Sequence, residues 1–87
     1  MPDQDPNRSS TAEAVLHYLA STLVHEPDAV EISQSQWRQR VSLNLSVAPS
    51  DMGKVIGRKG RTAQAIRTVV RAAGAVDGFD AFVDIVD

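Results

Sequence analysis

Cysteine is absent from the 87 residues. That excludes disulfides, iron–sulfur clusters, cysteine-ligated zinc and thiol catalysis. Only two histidines are present, which leaves little for a transition-metal site, and no cofactor is expected. His17 and His25 are eight apart, about 12 Å along a helix axis, so they cannot share a metal by themselves. No apolar run approaches the roughly 20 residues of a membrane span. The opening MPDQDPNRSS carries no apolar core of the signal-peptide kind, so a soluble cytoplasmic protein is expected. Catalytic constellations are missing too. There is no Cys–His pair and no H-E-x-x-H, and the acids nearest the basic segment, Asp51 and Asp77, sit beside turns and suit capping. The expectation is a protein that is not an enzyme.

What is present suffices for one small domain. Hydrophobic residues make up 43% of the chain, enough for a packed core rather than a disordered segment. The net charge is −2, which alone argues weakly against nucleic acid. The distribution says more. Six of the nine basic residues (Lys54, Arg58, Lys59, Arg61, Arg67 and Arg71) fall within residues 54–71, and all eleven acids lie outside that window. An acidic body with one basic stretch describes either a local anion-binding surface or a solvated helix face.

Residues 1–9 are polar with two prolines and are expected to form a disordered tail, leaving 10–87 as the domain. Ser10 and Glu13 have capping-box spacing. Ala12, Val15, Leu16, Leu19 and Leu23 then predict one apolar helical stripe, stopped near Glu26 by Pro27. A weak strand is expected over 29–33 and a polar hairpin loop over 34–39. A clear strand follows within 39–48, where Val41, Leu43, Leu45 and Val47 alternate with polar residues. After Pro49, Ser50 or Asp51 can cap a short helix through Ile56. A second helix is expected over 61–73, with Ala63, Ala65, Ile66, Val69, Val70 and Ala73 on one side and Gln64, Arg67, Thr68 and Arg71 on the other. Gly74 suits the left-handed position after it, Asp77-Gly78 a turn, and 81–86 a last strand. The order α-β-β-α-α-β, with a helical crossover between strands 39–48 and 81–86, gives an α+β domain. Its three-stranded mixed sheet carries helices on one face.

The stretch that carries chemistry is Val55-Ile56-Gly57-Arg58-Lys59-Gly60-Arg61. Its two glycines allow close backbone approach and positive φ. The helix that follows offers its first N–H groups to an anion, which the basic side chains reinforce. A G-x-x-G loop between a short helix and a basic amphipathic helix resembles the signature of KH domains, which grip about four nucleotides of single strand. The longer string from Val47-Ala48-Pro49 through Asp51-Met52-Gly53-Lys54 to Ala63-Gln64-Ala65-Ile66-Arg67 resembles the KhpA family of small bacterial KH proteins. Leu23-Val24, Pro27-Asp28, Val30-Glu31-Ile32 and Ile85-Val86-Asp87 resemble it as well, and the element order is that of a type II KH domain. The resemblance implies a cytoplasmic protein that binds single-stranded RNA and acts as an RNA chaperone. It further implies pairing as a homodimer or with a larger KhpB-like KH partner, and a link to cell-wall synthesis, cell shape and cell length. Carried over by position, Gly57, Arg58, Lys59 and Gly60 form the backbone clamp. Lys54 and Arg61 flank it, and Ile56 lines the groove. Read from the residues themselves, Ile66 can extend that apolar wall for bases, the edge of strand 39–48 borders it, and Arg67 is a further candidate RNA contact.

Alternatives stay open at this point. Ile66 lies mid-stripe and also fits the core. Arg67 and Arg71 also fit a solvated face. Trp37 fits either a stacking platform or a side chain folded back onto the sheet. A protein-interaction module with little RNA binding of its own is the competing class. A helix-turn-helix reading DNA through helix 61–73 is a further one. A P-loop is excluded, because the glycine spacing is wrong and Gly60 is followed by Arg61 rather than Lys.

Overall fold

In the computed structural model, which describes residues 10–86, the chain runs α1 (Ser10–Leu23), β1 (Glu31–Trp37), β2 (Arg40–Ser46), α2 (Met52–Ile56), α3 (Arg61–Val76) and β3 (Asp80–Val86). Short 3-10 turns cover Pro27–Ala29, Pro49–Asp51 and Arg58–Gly60. The tail expected over 1–9 and the Ser10 side chain of the expected capping box lie outside the described residues.

The sheet order is β1-β2-β3. β1 and β2 are antiparallel, with Trp37 opposite Arg40 across a two-residue loop. β2 and β3 are parallel, with Leu43 opposite Val83. This is the expected α+β arrangement, in the element order of a type II KH domain. The alternation of β2 sets the inner face: Val41, Leu43 and Leu45 are fully buried, beneath α1 and α3. Each such side chain contributes about 1.5–3 kcal/mol by leaving water. Ala12, Leu16 and Ala20 of α1, Val55 of α2, Ile66 and Val70 of α3, and Ala81 and Val83 of β3 complete one core.

Several local expectations need correction. The α1 stripe runs through Ala20, while Leu23 is partly exposed, and the helix ends at Leu23 rather than near Glu26. His25 and Glu26 give their N–H groups to the Asp51 carboxylate and so cannot continue the helical ladder. β1 extends through Gln34–Trp37, where a loop was expected. Its polar residues pair fully with β2, and only Arg38 and Gln39 form the turn. On α3 the buried stripe is Ala63, Ile66, Val70 and Gly74, while Ala65 and Val69 are exposed. The surface beneath that helix covers a narrower arc than the apolar residues occupy. Gly74 lies inside the helix, and a Cβ there would meet the Ala81 Cβ at 2.8 Å. The left-handed cap falls instead on Gly78 (φ 83°). Its N–H reaches Ala75 O while the Phe79 N–H reaches Gly74 O, the paired closure of a Schellman motif. Of the two placements open to Trp37, the exposed one is found, at 71% exposure.

Candidate functional site

The connection between α2 and α3 is built from glycine positions that few other residues can occupy. α2 closes with the Gly57 N–H on Gly53 O at 2.8 Å. Gly57 has φ 75° and ψ 174°, a region open essentially to glycine alone. A Cβ built on it would lie 2.6 Å from the Thr62 Cβ and 2.9 Å from the Thr62 backbone nitrogen, so this glycine also permits close approach of α3. Arg58 and Lys59 follow, with Lys59 itself left-handed (φ 57°, ψ 25°). Gly60, at φ 74° and ψ 13°, stands at the start of α3. A Cβ placed on Gly60 meets nothing within 4 Å, so that flank of the turn is open. The Gly60 N–H donates to Gly57 O at 3.1 Å, and the Arg61 N–H donates to Arg58 O, which holds the turn tight. No side chain caps the N-terminus of α3.

Arg58, Lys59 and Arg61 are exposed, and among the described residues none pairs with an acid. Lys54 is also exposed, but its Nζ lies 3.4 Å from Asp51 Oδ1. Ile56, 39% exposed, is an apolar side chain next to the turn. Lys54 and Ile56 thus lie on α2, Arg58 and Lys59 in the turn and Arg61 at the start of α3. Ile66 is not among them: it is 3% exposed and part of the core, so it offers no contact surface. Arg67 is half-buried, and its Nε–H donates to Val83 O at 3.2 Å. Asp80 gives its N–H to Gln39 O on the β2 side. By alternation along the strand, Val83 turns its carbonyl to the free edge of β3, so Arg67 straps that edge. The expected groove wall also shifts. β2 is the central strand and has no free edge; the free edges belong to β1 and β3.

Asp51 escaped the reading of the sequence as anything but a cap. No side-chain cap bond forms at α2. Its carboxylate is buried and accepts the N–H groups of His25 (on Oδ1) and Glu26 (on Oδ2), each at 3.0 Å. The His25 N–H holds this carboxyl below its ordinary 3.8. Burial opposes that, while the Glu26 N–H and Lys54 add to it. The acid therefore fastens the exit of α1 to the start of α2. Its partners lie 25 and 26 residues away, so no local pattern announces it.

The family model described as "KhpA/KhpB, KH domain" matches residues 13–85. A protein named "RNA-binding protein KhpA" from Caldanaerobacter subterraneus subsp. tengcongensis is 48% identical over 68 residues, covering 78% of this chain and 91% of its own length. Proteins of the same name from Clostridium acetobutylicum and Streptomyces coelicolor are 46% and 45% identical. They cover 83% and 86% of this chain, and 96% and 91% of their own lengths.

Proposed function

We infer the function from one premise: the chain belongs to the KhpA/KhpB family of KH domains. We propose that it binds single-stranded RNA, with the phosphodiester backbone lying along Gly57-Arg58-Lys59-Gly60. The observation that carries this reading is the exposed trio of Arg58, Lys59 and Arg61, paired with no acid among the described residues, around a turn whose Gly60 flank is open. Phosphates approach the backbone there without a side chain in the way, and the three cations supply charge-assisted hydrogen bonds. Ile56 gives an apolar surface for a splayed base. Lys54 adds its charge at the rim while steadying Asp51. The role is binding rather than catalysis.

Further content rests on family membership: RNA chaperoning in the cytoplasm, and a link to cell-wall synthesis and cell length. Pairing with a second copy or with a KhpB-like chain belongs to the same reading. A single clamp of about four nucleotides is weak, and a second KH surface raises avidity through effective concentration. The exposed Val69 and Val76 of α3 give such pairing an apolar contact. The helix-turn-helix alternative has less support, because the helix pair lies within the stretch matched by the KH family model.

The experiment is a titration of labelled single-stranded RNA with wild type and with Arg58→Asp/Lys59→Asp, with melting curves on both. The variant loses RNA binding and keeps its melting transition, since exposed substitutions usually shift stability within about ±0.5 kcal/mol. Equal affinity of the two proteins would sink the clamp and favour the protein-interaction module.

A further inference from the structure

The face of the sheet turned away from the helices is not a bland polar surface. Alternation and register put four cross-strand rows on it: Trp37–Arg40–Asp80, Ser35–Ser42–Phe82, Ser33–Asn44–Asp84 and Glu31–Ser46–Val86. No helix covers them, since the buried positions of β2 and β3 all point to the other side. The chain has four aromatic side chains, and two of them stand here, Trp37 at 71% and Phe82 at 39% exposure. Leaving an indole in water forgoes a large burial gain.

The arginines around these rings are arranged unusually. The Arg38 guanidinium lies over the Trp37 ring at 5.3 Å, and Trp37 is nonetheless 71% exposed. Arg38 holds a left-handed φ of 58° at a hairpin position that favours glycine or asparagine. Gln36 steadies that turn by donating from Nε2 to Arg38 O. Arg40 from β2 and Arg71 from α3 converge on one ring, with their guanidinium carbons 5.0 and 5.8 Å from the Phe82 centroid. Asp80 and Asp84 share this face, yet among the described residues neither forms an ion pair with these arginines. A guanidinium stacked on an aromatic ring keeps its N–H edge free for a phosphate.

We propose that this end of the open sheet is a second contact for the same single-stranded RNA, with Trp37 as the stacking platform and Arg38, Arg40 and Arg71 receiving phosphates. The inference rests on the RNA-binding reading above. Exposed aromatics flanked by cations are the recurring solution for single strands, because every base has a face to stack. A protein partner fits worse. Serines and Asn44 floor the face, whereas the centre of a protein interface is apolar. Arg71 lies ten residues along α3 from Arg61, roughly 15 Å on the helical rise. One strand therefore reaches both sites, passing Arg67 where it straps the β3 edge.

Trp37 is the only tryptophan, so its fluorescence reports this site alone. The test uses the full chain and a fluorescein-labelled single-stranded RNA of about 16 nucleotides, the upper range for such surfaces. Anisotropy measures binding, and unlabelled RNA of the same length is used to follow Trp37 emission. The expected result is quenching of Trp37, about tenfold weaker binding by Trp37→Ala, and near-wild-type binding by Trp37→Phe. Tight binding with unquenched Trp37, or with equal affinity in Trp37→Ala, overturns the platform and leaves the loop reading standing. Absence of RNA binding by the wild type removes both readings together.

Discussion

Gly57 and Gly60 look equivalent in the motif and are not equivalent physically. Gly60 sits in the left-handed region with open space where a side chain would go. A Cβ there costs about 1–2 kcal/mol in backbone strain. Gly57 lies in the region that excludes side chains, with the Thr62 backbone nitrogen against it as well. Gly57→Ala is therefore expected to cost clearly more than the roughly 1–2 kcal/mol of Gly60→Ala. Urea unfolding of the two variants checks the order, and a reversal would show that the turn conformation described above is wrong. The same scale separates the basic residues. Among the described residues Arg58, Lys59 and Arg61 pair with no acid, whereas Lys54 and Arg67 hold other parts of the fold. The sequence could not separate them, because a charged side chain reveals its partner only once the chain is folded.

At the level of elements, Asp51 joins the segment after α1 to the start of α2, the helix that leads into the glycine turn. Its folded value lies below the ordinary 3.8. Its contribution to stability is therefore present above the unfolded value and is lost as pH falls through the lower, folded one. Asp51→Asn should melt at lower temperature than wild type at neutral pH, since an amide offers one acceptor where two N–H groups need partners. The gap should hold down to about pH 4 and close below it. A gap that widens on acidification would contradict this assignment. β2 and the turn were legible as elements because each has a strong local signature: clean period-2 alternation in one, paired glycines between helices in the other. β1 was half hidden, because Gln34 and Gln36 occupy its inner face and blur the alternation. The end of α3 was misread because Gly74 serves packing against Ala81 rather than the chain reversal.

Across the whole molecule, the helical layer and the sheet divide the labour. The core fixes α2 and α3 around the turn, while the opposite face of the sheet stays open, with its aromatic and arginine cluster at the hairpin end. Fold class and the parallel or antiparallel sense of each strand pair followed from the order of elements, which the crossover constrains, whereas the central place of β2 did not. The exposure of Trp37 did not, because tryptophan among polar residues satisfies either a covered or an open face. The central claim is that single-stranded RNA is held at the glycine turn. Its most direct test is an amide chemical-shift map of the labelled protein titrated with single-stranded RNA, and in parallel with duplex DNA. The account predicts that the amides of residues 57–62 move with single-stranded RNA and stay in place with the duplex. Undisturbed amides in that segment, or equal movement with the duplex, would contradict it.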